Sequence, residues 1–343
     1  MDYKELSDFI NKFIIEELSS CNPEQIEEKC KDILNKYQSL DDKISFNVAY
    51  ENAFHQRLPL MNEKCIEFEE KIISQIRQIQ PSFMMHFEDI KECIHASKHL
   101  SEEFKQTRNN TGINFDPLII PKHVCPVHTT TNELVNSPLF DECEQFKQFC
   151  KSKKNNEYEI NNQLSICELT LKFPNSKEYT IKSNFYTSSI LLALSEKKLK
   201  FFEIVQLLNS DKKNISLIIK QLNKLKIIKR LGESNILKDN DVLYLNPNFT
   251  SSNDVIQITP IVPKPRIDLV AKFEKEEAIK LCIIRQIKRH NKIERNQLFH
   301  EVEQILSNSF NIDQDQINNE LNKLIGIYIS KCIEDGKEVF SLQ

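Results

Sequence analysis

The stretch LCIIRQIKRHNK, residues 281 to 292, combines the pattern of a core helix with a cluster of positive charge at its end. Ile283 and Ile287 recur at helical spacing and predict a buried stripe, and Lys288 lies at its flank. Other basic residues surround this lysine: Arg285, Arg289, His290 and Lys292. The ordinary interpretation is a cation that complements the helix dipole. The alternative is a lysine presented for modification, with a basic surface that an acidic conjugating enzyme binds, and spacing alone leaves both open.

The composition indicates a helix-rich folded protein. The chain has 343 residues, which suggests two or three domains, and its net charge of −4 provides no general attraction to nucleic acid or acidic membranes. Only 4 glycines occur, which argues against glycine-rich phosphate loops and against a large sheet with many tight turns. We predict an α+β fold that is mostly α.

The cysteines and the chain start suggest a reducing compartment. The 10 cysteines are scattered and form no CxxC pair, so buried free thiols are favoured over a disulfide framework. The start MDYKELSDFINKF lacks a signal segment, and no apolar run approaches the length of a membrane span. We therefore expect a soluble protein of the cytoplasm and nucleus with no membrane partner.

The first half of the chain changes character near residue 108. Residues 1–108 repeat apolar positions at helical spacing and predict a helical bundle. Residues 109–185 predict an α/β segment, in which FDPLII reads as a short strand. The period-two runs QLSICELTLKF and EYTIKSNF flank the turn sequence PNSK, so they predict a β-hairpin.

The second half contains two similar modules. Residues 186–258 predict three helices and a hairpin, which together make a winged helix, with LKFFEIVQLLN as its second helix. A proline-bearing linker follows at 259–267, and residues 268–343 predict a second winged helix that ends in a hairpin turning at Asp335-Gly336.

Few residues carry a recognisable chemical signature. No phosphate-binding loop, HExxH or GxSxG motif occurs. One cluster has the residue types of metal ligands: His123, Cys125 and His128, with Cys143 and Cys150 further on. Its HxCxxH spacing is not that of a standard zinc pair, so packed thiols and solvated imidazoles are favoured and no cofactor is expected. An enzyme with an unrecognised site at this cluster remains an open alternative.

A second alternative is nucleic-acid binding. Winged helices often place their third helix in the major groove, and in the first module this helix carries Lys213, Lys220, Lys224 and Lys226. Apolar residues occupy much of the same helix, and base-reading side chains are few. The overall net charge also lacks a basic footprint, so nucleic acid is the less favoured partner.

The chain resembles the C-terminal half of a cullin, most specifically at its tail. The family's I-V-R-I-M-K, whose lysine is conjugated to a ubiquitin-like modifier, corresponds to residues 283–288. The next two family helices match at these positions: Leu298, Glu301, Val302, Ile305, Leu306, Ser307, Phe310, Ile317, Leu324, Ile325 and Tyr328. Upstream, the family's F-x-x-x-Y-x-x-x-L-A-x-R-L is similar to Phe46, Tyr50, Arg57 and Leu58.

The resemblance implies a non-catalytic scaffold of a ubiquitin ligase. The α/β segment of cullins captures a strand of a zinc-binding RING-box subunit, which recruits the ubiquitin-conjugating enzyme. The implied RING-binding residues are Leu164, Ile166, Leu169, Leu171, Tyr179 and Ile181. The implied modification site is Lys288, and the implied contact surface for the modifier enzymes is Arg285, Arg289 and Lys292. Modification is expected to release or reorient the last winged helix.

Departures from the family pattern leave a related interpretation open. The N-terminal cullin repeats that bind substrate adaptors are expected to be absent, and this chain has no Trp. A cullin-like subunit of the anaphase-promoting complex has the same plan without the modified lysine.

Overall fold

The computed structural model describes residues 2–107, 113–121, 124, 137–154, 158–159, 161, 164–174, 177–232, 237–258 and 267–343. Helices predominate and three small sheets accompany them, so the predicted α+β, mostly α class is confirmed. The chain forms two compact units. The first joins Met1–Met85 to Lys264–Gln343, and the second consists of His86–Pro263. The predicted linker lies outside the described residues except for Ile267, and the domain boundaries stay predictions.

The first unit begins with four helices: α1 Tyr3–Lys12, α2 Pro23–Gln38, α3 Lys43–Arg57 and α4 Glu63–Arg77. A π-helical turn at Phe13–Glu17 and a 3-10 turn at Leu18–Ser20 follow α1, and a second 3-10 turn at Leu58–Leu60 follows α3. The last three helices begin at side chains that accept a backbone N–H: Asn22, Asp42 and Asn62. Each cap satisfies an amide that has no partner inside its helix.

A buried ion pair joins α3 to α4. Arg57 Nε donates to Glu69 Oε1 at 2.7 Å, and the Tyr50 hydroxyl donates to the other carboxylate oxygen. All three side chains are at most 2% exposed. Removing one partner of such a group strands a buried charge and typically costs about 3–5 kcal/mol. The network therefore fixes how these two helices pack.

The second unit begins with two helices and a hairpin: α5 Phe87–Thr107, α6 Pro138–Lys154, β1 Ile166–Lys172 and β2 Glu178–Asn184. Phe104 of α5 packs against Phe146 and Cys150 of α6. β1 and β2 pair in antiparallel register from Ile166↔Asn184 to Lys172↔Glu178, which places the turn where the sequence predicts it.

A module of three helices and three strands follows, which we call the first module. Its elements are α7 Phe185–Glu196, β3 Leu199–Lys200, α8 Phe201–Leu208, α9 Lys212–Lys224, β4 Ile228–Leu231 and β5 Val242–Leu245. Its strands pair in the order β3-β5-β4. The next strand, β6 Val255–Gln257, returns to pair in parallel with β2, so the first module is inserted between two neighbouring strands of one sheet.

The same order of elements recurs at the end of the chain, in the C-terminal module. Its elements are α10 Ile267–His290, β7 Lys292–Glu294, α11 Arg295–Leu306, α12 Gln314–Leu324, β8 Ile329–Glu334 and β9 Lys337–Leu342. The strands pair in the order β7-β9-β8. Its core includes Ile283, Ile287, Leu298, Val302 and Phe340, each at most 2% exposed.

Within the first unit, the C-terminal module contacts α3. Lys275 Nζ of α10 donates to Asp42 Oδ2 at 2.6 Å, and the backbone N–H of Lys43 donates to the carbonyl of Ser309 at 2.8 Å. Ile44 packs against the core of the module. A part-buried ion pair, a backbone hydrogen bond and an apolar contact therefore hold α3 against α10.

Two local predictions are wrong. FDPLII forms no strand, because its backbone bonds elsewhere: the N–H of Ile119 donates to Ser97 Oγ of α5 at 2.8 Å. Pro117 within the segment and Pro121 after it also remove backbone donors. The helix predicted over LKFFEIVQLLN begins only at Phe201, because Lys200 has extended backbone and caps the helix while it pairs with β5.

Candidate modification and partner-binding sites

Lys288 lies in the last turn of α10 on its solvent side. The helix directs Ile279, Ile283 and Ile287 into the core, each at most 2% exposed, while Lys288 is exposed. The Lys288 ammonium has no ion pair or hydrogen bond with any residue in the described part of the chain. The side chain is therefore accessible to a partner and rests on a rigid, well-packed helix.

The chain leaves α10 abruptly at Asn291. Asn291 has φ 61°, the left-handed conformation that Asn tolerates at the residue after a helix. β7 begins at the next residue and pairs with β9. Lys288 thus lies within one turn of a fixed helix end, where its charge is favoured by the helix dipole.

Arg285 and Leu281 extend the face that carries Lys288. Spacings of four and three residues place the three side chains on one side of α10. Arg285 is exposed and Leu281 is 53% exposed, and Arg285 has no ion pair within the described residues. We call Leu281, Arg285 and Lys288 the Lys288 face.

Lys292, which the sequence analysis assigns to the same surface, is held by an acidic neighbour. Its Nζ donates to Glu334 Oε1 of β8 at 2.5 Å. This hydrogen bond raises the pKa of Lys292 and lowers the pKa of Glu334. The hairpin pairing of β8 with β9 brings Glu334 here, and the spacing of residues along the chain carries no signal for it.

Arg289 faces a different acid. The pKa of Glu301 is lowered mainly by the hydrogen bond from Gln297, and His290 and Arg289 contribute to the same shift. His290 Nε2 lies 3.0 Å from Glu301 Oε2. Among the predicted contact residues, therefore, Arg285 is the cation whose charge is least compensated by a neighbouring acid.

Gln286 is a buried polar residue that the helical spacing of the isoleucines in α10 does not reveal. It is 7% exposed on the core side of α10, and its Oε1 has no hydrogen-bond partner within the described residues. A buried amide acceptor without a partner is destabilising. The signal was present, since the corresponding position of the I-V-R-I-M-K motif is apolar.

The second candidate site is the outer edge of β1. The sheet order β1-β2-β6 leaves one side of β1 unpaired by any strand in the described residues. The exposed side chains of this strand alternate with buried or half-buried ones: Ile166, Glu168, Thr170 and Lys172 are exposed. An open strand edge is a template for pairing with another chain.

The alternation of backbone hydrogen bonds along the hairpin shows which residues of β1 direct their N–H and C=O groups toward the open edge. The N–H of Phe173 donates to Lys177 across the hairpin, and the N–H of Thr180 donates to Asp254 on the opposite side of β2. Alternate residues of an antiparallel strand point their N–H and C=O to opposite sides. The outward-facing backbone groups of β1 therefore belong to Ile166, Glu168, Thr170 and Lys172.

The residues predicted to contact a RING subunit divide between this edge and the core. Leu171, Tyr179 and Ile181 are at most 4% exposed, and the last two belong to β2, which has neighbours on both sides. Leu164 and Leu169 are half-buried and Ile166 is 38% exposed. The structure thus gathers Leu164, Ile166 and Leu169 near the open edge and places the other three beneath it.

A metal centre has no support in the part of the chain that the structure describes. No cluster of three His, Cys, Asp or Glu side chains with metal-binding geometry occurs among the described residues. His123, Cys125 and His128 lie outside them. Burial raises the pKa of the Cys143 thiol to about 12, and Cys150 is 2% exposed among aromatic rings. None of the described helices combines the length and apolarity needed to cross a bilayer.

The two candidate sites are an open strand edge in one unit and a basic helix end in the other. In a comparison with known protein families, residues 119–249 match the model of the cullin alpha+beta domain. The match covers β1, β2 and the first module. The chain is therefore cullin-like, as its sequence pattern predicts.

Two relatives from Arabidopsis thaliana extend the similarity. The putative cullin-like protein 1 is 23% identical over 299 residues, which cover 85% of this chain and 39% of the relative. Cullin-2 is 23% identical over 220 residues, which cover 62% of this chain and 30% of the relative. The chain thus spans about a third of the length of the curated relatives that it matches. The relationship favours a scaffold over an enzyme.

Proposed function

We propose that this chain is a scaffold subunit of a cullin-RING-type ubiquitin ligase, which binds a RING-box protein along β1 and is regulated by a ubiquitin-like modifier at Lys288. The observation that carries the proposal is the open edge of β1 inside the segment that matches the cullin alpha+beta domain. The chain supplies no catalytic residue in this proposal. The RING subunit holds the zinc and recruits the ubiquitin-conjugating enzyme.

Strand addition explains why β1 suits this role. Four residues of β1 offer outward N–H and C=O groups, which would bond to an incoming strand without disturbing the ladder to β2. The half-buried Leu169 and the exposed Ile166 provide apolar contacts at this edge. Tyr179 and Ile181 act from the core by holding β2 in place.

The accessibility of Lys288 supports its role as the modification site. Its deprotonated amine would attack the thioester of a modifier-charged conjugating enzyme, so that an isopeptide N–C bond forms, the C–S bond breaks and the enzyme thiol leaves. Arg285 would contact the conjugating enzymes beside it, with Arg289 and Lys292 at the rim. Lys292 is less suited as an acceptor because Glu334 holds its ammonium.

Both modules are winged helices in this proposal, on the basis of their order of helix, strand, helix, helix and hairpin. The contact of α10 with α3 is the element that modification would switch. The Lys275–Asp42 ion pair and the Lys43–Ser309 hydrogen bond would hold the C-terminal module in place until a bulky modifier at Lys288 displaces it.

Co-expression tests the proposal directly. The chain is produced with its host's RING-box subunit and modifier-conjugating enzymes, and the intact mass of the purified complex is measured. We expect co-purification and one added modifier on the wild type and on Lys292→Arg, and no modifier on Lys288→Arg. Co-purification without modification would instead indicate a scaffold of the anaphase-promoting-complex type.

A proline substitution tests the strand edge independently. Thr170→Pro removes an outward N–H that β2 does not use, and proline is tolerated on edge strands. We expect this variant to stay folded and to lose the RING subunit, while Thr170→Ala retains it. If Thr170→Pro still co-purifies with the RING subunit, the β1 edge is not the docking strand.

A further inference from the structure

A row of lysines lies along the solvent face of α9, in the first module. Lys213, Lys220 and Lys224 recur at spacings of seven and four residues, so they lie on one side of the helix, with Leu217 between the first two. The opposite side is buried in the module core through Ile215, Ile218, Ile219 and Leu222. We call Lys213, Lys220 and Lys224 the lysine row.

The charges of the lysine row are uncompensated. All three side chains are exposed, and none has an ion pair with a residue that the structure describes. At a rise of about 1.5 Å per residue, the three lysines span about 16 Å of helix. By contrast, the neighbouring Lys212 pairs with Asp239 at 2.5 Å.

The surrounding segment is strongly basic although the whole chain is acidic. Residues 197–232 contain 10 Lys and Arg against 2 Asp and Glu, while the chain as a whole has a net charge of −4. Salt screens exposed charges beyond about 8 Å at physiological ionic strength, so the local charge governs what this surface attracts. The net charge of the chain is therefore a poor guide to the partners of α9.

The hairpin beside α9 adds to the basic surface. Lys226 and Lys229 are exposed where the chain passes from α9 into β4. A cavity of about 90 Å³ lies between α9 and the hairpin, lined by Ile219, Lys220, Asn223, Arg230 and Leu237. Arg230 is paired with Asp241 at 2.6 Å, so Lys220 and Asn223 are the polar groups at this cavity that lack a charged partner among the residues that the structure describes.

We propose that the lysine row binds the phosphate backbone of double-stranded nucleic acid. α9 is the third helix of a helix-strand-helix-helix-hairpin module, and in helix-turn-helix proteins the recognition helix enters the major groove. Lysines supply point charges for phosphates, whereas bidentate readout of guanine is mainly the role of Arg. Since the row contains no Arg, binding is independent of base sequence.

Two other anionic partners fit the surface less well. Acidic and phosphorylated peptides are typically held by the bidentate forks of Arg clusters, and the lysine row has none. A helix that lies on a membrane exposes a broad apolar face, whereas the apolar face of α9 is buried in the module core. A straight row of lysines on a rigid helix matches best a stiff polyanion with regularly spaced charges.

Salt-titrated binding to a duplex tests the proposal on the full chain. Fluorescence anisotropy with a labelled 24-base-pair DNA would be recorded from 50 to 300 mM salt. Three to four phosphate contacts predict a slope of log affinity against log salt of about −3 to −4. Replacing all three lysines of the row with Gln should make the slope shallower, between about −1 and 0. The same change should weaken binding by at least about tenfold at 100 mM salt.

Matched variants separate this effect from a general change in charge. Replacing the row with Arg preserves the charge and should preserve the affinity. Three exposed lysines elsewhere, Lys12, Lys31 and Lys272, are changed to Gln as the control and should leave the affinity within about twofold. Circular dichroism and thermal melting of each variant confirm that it is folded.

Three outcomes would overturn the proposal. The first is no binding at 50 mM salt, and the second is an unchanged slope in the Gln variant of the row. The third is saturable binding of polyglutamate or of vesicles containing phosphatidylserine that the duplex does not compete away, since that result would assign the surface to an acidic protein or to a membrane.

Discussion

The first and C-terminal modules share one order of elements but present opposite surfaces on the corresponding helix. In the first module the third helix, α9, exposes the lysine row, and in the C-terminal module the third helix, α12, exposes Asp315, Asn319 and Asn322. In the C-terminal module the exposed Arg285 and Lys288, which have no ion pair within the described residues, lie instead near the end of its first helix. If both proposals hold, one order of elements carries two different binding surfaces, as expected when function follows the site rather than the fold.

The interiors of the two modules differ as well. The first module contains a largely buried ion pair, Arg230 with Asp241, whose side chains are 16% and 10% exposed. The C-terminal module buries Gln286, whose Oε1 has no partner among the described residues. Removing Asp241 should therefore lower the stability of the first module, whereas removing the Gln286 amide should raise the stability of the C-terminal module.

Of the effects that compare the two modules, the largest is expected from breaking the ion pair of Arg230 with Asp241. Asp241→Ala leaves the Arg230 guanidinium without its partner and also removes the acceptor of the Lys238 backbone N–H. Because some solvent reaches the pair, we expect a loss of about 2–3 kcal/mol, slightly below the range for fully buried pairs. Chemical denaturation of the full chain measures it.

Asp239→Ala is the matched control, because it lies two residues away and removes an ion pair that is 55% exposed on both sides. We expect its free energy of unfolding to stay within about 0.5 kcal/mol of the wild type. Equal losses in the two variants would mean that the burial of Arg230 with Asp241 contributes nothing.

A gain of function on α12 would sharpen the comparison of the surfaces. Changing Asp315, Asn319 and Asn322 to Lys places three lysines on the exposed side of α12, at spacings of four and three residues instead of the seven and four of the lysine row. If position in the module and charge suffice, duplex affinity at 100 mM salt should rise about tenfold and the salt slope should steepen. The same three positions changed to Gln provide the control, and equal affinities for the two variants would show that position in the module and charge do not suffice for binding.

Much of this organisation is readable from the sequence, and the failures have physical reasons. The hairpin of β1 and β2 is predictable because period-two alternation flanks a turn sequence, and the buried stripe of α10 is predictable from the spacing of its isoleucines. β3 has two residues, too few for any periodicity, and β6 pairs with β2 across the whole first module. The partner of Lys292 depends on the hairpin register, so spacing along the chain carries no signal for Glu334.

Replacing the buried Gln286 amide with an apolar side chain should stabilise the C-terminal module. Gln286→Leu replaces a buried amide with an apolar side chain of similar size, so we expect a gain of about 1 kcal/mol in the free energy of unfolding. Gln304→Leu, on the exposed side of α11, should change this free energy by less than about 0.5 kcal/mol. A loss of stability in Gln286→Leu would show that the Gln286 amide makes a hydrogen bond that stabilises the folded module.

The smallest effect concerns the contact that α3 makes with the C-terminal module. Burial alone would raise the pKa of Asp42, but hydrogen bonds from Lys275 and Ser45 outweigh it and hold the pKa below its usual 3.8. A carboxyl whose pKa is lowered by folding adds stability above its unfolded pKa, and that stability is lost as the pH falls through the folded value. Asp42→Asn should therefore flatten the dependence of stability on pH below about pH 4, whereas Asp41→Asn, an exposed neighbour, should leave the profile unchanged. Denaturation between pH 2 and 7 separates the two variants, and identical profiles would mean that the Lys275–Asp42 ion pair does not hold the module against α3.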